Sequence, residues 1–107
     1  MYCISLQIQP EFLASFNKSD FLLRVRAAGR SPEIDDFEEK GQRYLQFNFF
    51  SERPKSLWQE LQTALFNNPE YSEIIKPISI VICEDENASE CFLLHHFDSN
   101  EKLNQLL

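Results

Sequence analysis

Carboxylates are the most concentrated reactive groups in this sequence, and they lie in two short segments. Residues 33–39, EIDDFEE, contain five carboxylates, and residues 84–90, EDENASE, contain four. Adjacent acids such as Asp35 and Asp36 could act as general acid and base, but a polar connector would not shift a pKa as that chemistry requires. The two segments therefore indicate binding rather than catalysis.

The acidic segments have the composition of a protein-binding surface. Together they hold nine of the 17 acidic residues, whereas residues 1–30 carry two acids and four bases. Concentrated charge of one sign opposes folding, so its presence indicates that these segments were selected for binding rather than for stability. The alternative is that they are solvated loops that keep the protein soluble. Ile34 and Phe37 are apolar and surrounded by these carboxylates, so they could anchor a partner. The predicted partner-binding residues are Glu33, Ile34, Asp35, Asp36, Phe37, Glu38, Glu39, Glu84, Asp85 and Glu86.

Two thiols and an imidazole form a second group of side chains that could do chemistry. Cys83 and Cys91 could face each other across a hairpin, with His95 on the same face as Cys91. They could ligate a metal ion, or His95 could assist a thiol nucleophile. The spacing matches no established zinc motif, so we predict no metal, no cofactor and no catalytic residue. A small enzyme or metal-binding domain that uses these residues stays open as the alternative.

Glycine usage and net charge argue against several other classes of function. Phosphate-binding loops need runs of glycine, and the chain has only Gly29 and Gly41. A net charge of −7 repels nucleic acid and anionic lipid, so a basic protein is the natural partner. No signal-peptide or membrane-spanning pattern is present, and three cysteines suit a reducing compartment, so we expect a cytoplasmic protein.

The elements that must position these residues have strand and helix patterns in succession. Period-two alternation predicts strands at 2–9 and 43–50, and an apolar run predicts a strand at 78–83 that is covered on both faces. This last strand should form a hairpin with 91–97. Apolar residues at helical spacing predict a helix at 56–66 packed on the sheet. We therefore predict one α+β domain over residues 1–107, with a sheet of about four or five strands.

The segment between the first two strands gives a less regular pattern. Residues 17–20 indicate a turn, and 30–42 an acidic connector. Residues 21–27 alternate as a strand does, although a helix that ends at Gly29 fits the same residues; the strand is preferred.

Shorter helices are predicted at 10–17, 67–77 and 98–107.

In size, acidity and lack of catalytic motifs, the whole chain resembles the immunity proteins of bacterial toxin systems, such as those of contact-dependent growth inhibition. The resemblance rests on this overall character. It implies a cytoplasmic, non-catalytic inhibitor of a nuclease-type toxin, whose acidic residues would occupy the groove that otherwise holds RNA or DNA. The protein alone would be a monomer or a weak dimer. A further alternative is an adaptor that forms homo-oligomers through an exposed sheet edge.

Overall fold

The computed structural model describes residues 1–106, which form one five-stranded antiparallel sheet and three α-helices. The order of the strands across the sheet is β2-β3-β1-β4-β5. The α+β prediction is confirmed. The strands are β1 (Tyr2–Ile8), β2 (Glu33–Glu39), β3 (Gln42–Ser51), β4 (Ser79–Asp85) and β5 (Cys91–His95). The helices are α1 (Lys18–Ala27), α2 (Pro54–Leu61), which continues into a π-helical turn at Gln62–Phe66, and α3 (Pro69–Ile75).

The pairing register divides the side chains of the sheet between two faces. Ile4 of β1 lies opposite Phe49 of β3 and Cys83 of β4, and all three are buried. Because directly opposite residues share a face and side chains alternate along a strand, every second residue joins this apolar face. The covered face consists of Ile4, Leu6, Ile8, Leu45, Phe47, Phe49, Val81 and Cys83, which belong to the same core cluster as the buried residues of the helices.

Within residues 1–106, no helix covers the other face of the sheet. All strand residues of the core cluster lie on the covered side; Leu94 of β5 lines a cavity there with Trp58 and Gln59 of α2. The helices therefore pack on that side alone. We call the uncovered side the open face. Its residues are Cys3, Ser5, Gln7, Glu33, Asp35, Phe37, Glu39, Gln42, Tyr44, Gln46, Asn48, Phe50, Ile80, Ile82, Glu84, Cys91 and Leu93.

Helix α1 replaces the turn predicted at 17–20 and the strand preferred at 21–27, and both predictions are wrong. The side-chain oxygen of Asn17 accepts the backbone N–H of Asp20 at 3.0 Å, a typical N-cap. Phe21 and Val25 are one helical turn apart and fully buried, so the helical period decides the structure. Gly29 follows the helix with φ +82°, the left-handed conformation that favours glycine.

The segment predicted as an acidic connector is strand β2, so that prediction is also wrong. Lys40 and Gly41 form a two-residue loop with φ values of 54° and 77°, the conformation of a type I′ turn. This turn returns the chain onto β3 with an unbroken register from Glu39–Gln42 to Glu33–Asn48. Strand formation here comes from hairpin geometry and pairing, because a strand with both faces exposed has no alternating apolar pattern.

Three further predictions are wrong. Residues 10–17 form only a 3₁₀ turn at Pro10–Phe12. Burial alternates along β4, so its strand is covered on one face rather than on both. Residues 98–106 contain no helix, and Leu107 lies outside the described residues. The strands at 2–9 and 43–50, the helix at 56–66, the short helix within 67–77 and the hairpin of β4 with β5 are confirmed.

No helix in the described part of the chain has the length and apolarity needed to cross a lipid bilayer.

Two phenylalanines of β3 should show how unequally the faces contribute to stability. Phe47 is fully buried and its ring centroid lies 4.3 Å from that of Phe21, whereas Phe50 is 38% exposed. We expect Phe47→Ala to lower the free energy of unfolding by about 3–5 kcal/mol, because it leaves a core cavity. We expect Phe50→Ala to change it by about 0.5 kcal/mol or less. Urea denaturation measures both; equal losses would contradict the assignment of the faces.

Candidate functional site

Strand β2 divides the seven predicted residues of 33–39 between the two sides of the sheet, although all seven are exposed. Glu33 lies opposite Asn48 and Asp35 opposite Gln46, both on the open face. Ile34 lies opposite Phe47, on the covered side. By alternation, Glu33, Asp35, Phe37 and Glu39 belong to the open face, whereas Ile34, Asp36 and Glu38 belong to the covered side.

Asp36 is already paired with cations of its own chain. Arg43 donates from Nε and Nη2 to the two carboxylate oxygens of Asp36, at 2.9 and 2.7 Å, and Lys18 Nζ lies 4.0 Å away. The hydrogen bonds from Arg43 hold the pKa of Asp36 below its ordinary value, and the positive charges of Arg43 and Lys18 lower it further. Asp36 therefore stays ionised, and its negative charge is compensated by Arg43 and Lys18 of its own chain.

The second acidic segment is divided in the same way. Glu84 lies opposite Cys3 on one side and Cys91 on the other, on the open face. Asp85 lies opposite Tyr2, whose neighbours along β1 place it on the covered side. Glu86 follows β4 in the hairpin turn, where its backbone N–H donates to the carbonyl of Met1 at 3.0 Å. The structure thus brings only part of the predicted set to one surface.

One acidic set therefore lies on a single face, and we call it the open-face carboxylates. No lysine or arginine occupies an open-face position of the five strands. Lys18 and Arg43 contact Asp36 on the covered side, and Lys40 lies in the turn between β2 and β3. The strand positions of the open face are thus anionic, and the cations that pair with β2 lie on the helical side. The open-face carboxylates are Glu33, Asp35, Glu39 and Glu84.

A row of polar side chains fixes one of these carboxylates in place. Ser5 Oγ and Gln46 Nε2 donate to Asn48 Oδ1 at 2.7 and 2.8 Å. Asn48 Nδ2 in turn donates to Asp35 Oδ2 at 2.8 Å. Asn48 and Ser5 are buried, so these bonds satisfy groups that would otherwise cost free energy. Ser5, Gln46 and Asn48 were not among the predicted site residues; polar residues at alternate positions of two central strands are the signal for them.

Aromatic side chains lie beside the carboxylates on the open face. Phe37 is 49% exposed, and its ring stacks on that of Tyr44 with centroids 5.3 Å apart. Phe50 is exposed near the opposite end of β3. The stacked ring is held in one orientation, so a partner that buries it loses less conformational entropy. Tyr44 and Phe50 are the aromatic residues that the predicted site lacked.

The two acidic segments act together at Cys3 of β1. Partial burial raises the pKa of the Cys3 thiol, and the negative charges of Glu84, Glu86 and Glu33 raise it further, against the hydrogen bond with Ser5, which lowers it. Glu33 comes from the first segment and Glu84 and Glu86 from the second. Glu33 and Glu84, 51 positions apart in the chain, therefore contribute to one electrostatic surface.

The expectation that Cys83 and Cys91 face each other is wrong. Cys83 lies opposite Phe92 and is buried, whereas Cys91 lies opposite Glu84 and is exposed. His95 lies opposite Val81, on the covered side, so it does not share a face with Cys91 either. Burial raises the pKa of Cys83 to about 11, which disfavours a thiolate, and burial lowers the pKa of His95. Within residues 1–106, no three His, Cys, Asp or Glu side chains are grouped to hold a metal ion. The geometry gives no support to a metal site or thiol nucleophile there.

Comparison of the chain with family models, characterised proteins and solved structures finds no match.

The shared field at Cys3 can be measured through the reactivity of the thiol. Glu33→Gln combined with Glu84→Gln removes two charges that raise the pKa of Cys3, so more thiolate forms near neutral pH. We expect Cys3 to be alkylated by iodoacetamide about threefold faster, as followed by mass spectrometry of its peptide. Glu70→Gln combined with Glu73→Gln changes net charge equally on α3 and should leave the rate unchanged. A common rate for both double variants would show that the segments do not meet at Cys3.

Proposed function

We propose that this protein is a non-catalytic binding protein that neutralises a basic partner, and that the open face of its sheet is the binding surface. One observation carries the proposal: the open face has four carboxylates, no lysine or arginine, and exposed aromatic rings. The binding residues within this proposal are the open-face carboxylates with Phe37, Phe50 and Tyr44. Glu86 extends the surface at the hairpin turn. Asp36 and Asp85 lie outside it.

The distribution of charge favours binding over simple solubility. Charge that served only solubility would be effective on any surface, and interspersed lysines would dilute its repulsion. Here Lys18 and Arg43 contact Asp36 on the covered side, Lys40 lies in the turn beyond the strand, and the open-face acids remain together. An uninterrupted anionic face accelerates association with a cationic surface and rejects anionic competitors.

A nuclease-type toxin domain is the partner we propose, acting in the cytoplasm. Such a domain presents a cationic groove that binds the phosphates of RNA or DNA. Carboxylates spaced along strands of a rigid sheet offer fixed negative charges to the same groove, and the exposed rings bury apolar area that phosphates lack. The inhibitor would act by covering the groove, so it needs no chemistry of its own.

Removal of the open-face charge should slow binding without unfolding the protein. The variant replaces the four open-face carboxylates by amides, as Glu33→Gln, Asp35→Asn, Glu39→Gln and Glu84→Gln. With a partner captured from the native cell and then purified, we expect the association rate to fall about tenfold or more and its salt dependence to flatten. Surface plasmon resonance at several ionic strengths measures both, and nuclease assays of the partner measure loss of inhibition.

A matched control separates the open face from net charge alone. Glu11→Gln, Glu70→Gln, Glu73→Gln and Glu101→Gln remove the same four charges from exposed positions elsewhere. This control should bind almost as the natural protein does. The proposal is wrong if both quadruple variants lose association rate equally, or if the captured partner is acidic.

Phe37 should act as the apolar anchor of the interface. Phe37→Ala removes an exposed ring that a partner would bury, and truncations of such anchors cost about 2 kcal/mol or more in binding. We therefore expect at least about thirtyfold weaker affinity, mostly through faster dissociation. Phe12→Ala is the matched control, since Phe12 is 39% exposed but lies in the 3₁₀ turn after β1. Unchanged dissociation from Phe37→Ala would remove this ring from the interface.

A further inference from the structure

The outer edge of strand β2 is open along its whole length. β2 is an end strand of the sheet and pairs only with β3. Its seven residues are exposed and contain neither a proline nor a bulge, and its five carboxylates protect the edge against a strand of like charge but not against a cationic one. Its backbone can therefore accept another strand.

The type I′ turn determines which backbone groups face outward. In a two-residue hairpin the flanking residues, here Glu39 and Gln42, form a hydrogen-bonded pair, and bonded and non-bonded pairs then alternate. The N–H and C=O groups of Ile34, Asp36 and Glu38 consequently point away from β3. Within residues 1–106, no backbone group from outside the sheet pairs with these three residues.

The opposite edge of the sheet, formed by β5, is partly covered by the chain itself. There the backbone N–H of Asn104 donates to the carbonyl of Leu93 at 2.7 Å, and the N–H of Leu93 donates to Asn104 Oδ1 at 2.8 Å. The chain thus occupies the centre of the β5 edge with its own C-terminal segment. The β2 edge has no such cover among the described residues.

The charge of β2 selects among possible occupants of the edge. A second copy of β2 would place carboxylates beside carboxylates, which is destabilising across a strand pair. A strand with lysine or arginine at alternate positions would instead place cations beside Glu33, Asp35 and Glu39 on the open face. Its intervening apolar residues would lie next to Ile34, which is 36% exposed.

We propose that β2 binds an extended basic segment of the partner, which pairs through its backbone with Ile34, Asp36 and Glu38 as a sixth strand of the sheet. This inference rests on the proposed function, because it specifies the form in which the basic partner is recognised. Backbone pairing supplies affinity, and alternate side chains supply specificity.

A synthetic peptide tests the pairing without the natural partner. The probe is an acetylated, amidated nine-residue peptide in which lysine and valine alternate, and the control is the same peptide with every backbone nitrogen of these residues methylated. At saturating probe, we expect hydrogen exchange at the amides of Ile34, Asp36 and Glu38 to slow at least tenfold, as measured by NMR. The methylated peptide keeps the charge but loses the N–H donors, so it should give no protection.

Substitution of the edge backbone gives an independent measurement. Ile34→Pro removes one outward N–H and no bond to β3, and proline is tolerated at such edge positions. We expect at least tenfold weaker binding of the lysine–valine peptide, by isothermal titration calorimetry, with Ile34→Val unchanged. If Ile34→Pro loses its NMR dispersion, Glu38→Pro replaces it. Lack of protection in the natural protein, or equal affinity for both peptides, overturns the inference; equal affinity for both would leave the charge-based function standing.

Discussion

The antiparallel register of β1 with its two neighbours is the constraint on which the rest of the structure depends. Ile4 is aligned with Phe49 and Cys83, and this alignment places every second residue of three central strands in the core. A slip of one residue would exchange the two faces, exposing the apolar set and burying the polar one. Ser5 and Asn48 add to the specificity of this register, since their hydrogen bond forms only when the strands are aligned as they are.

Sequence patterns predicted the elements whose two sides differ in environment. β1, β3 and α2 each have one apolar and one polar side, so periodicity identified them. The apolar residues of 21–27 fit both a strand alternation and a helical period, so this pattern alone does not distinguish the two structures. The N-cap at Asn17, which stabilises the helix, lies outside the segment. Strand β2 was unpredictable by pattern, because an end strand that is exposed on both sides has no period to detect.

The candidate site was predicted by residue type and not by grouping. Both acidic segments were identified, but a connector was expected to present its acids together, whereas a strand directs them alternately to two sides. Asp36 therefore pairs with Arg43, and Asp35 accepts from Asn48 beside the open surface. Glu84 lies opposite Cys3, whereas Glu33 lies two strands away on the same face, so their common effect on Cys3 depends on the order of the strands in the sheet.

Because the core lies entirely on the helical side, most side chains of the uncovered sheet surface contribute little to folding. Residues of this kind can be exchanged at small thermodynamic cost, whereas changes at Phe47 or Leu6 cannot. The sequence of the open face can therefore change while the scaffold stays constant. Ser5 and Asn48 are the exceptions, since they are buried within that surface and depend on each other. Rapid evolution of specificity would thus proceed around a fixed polar pair.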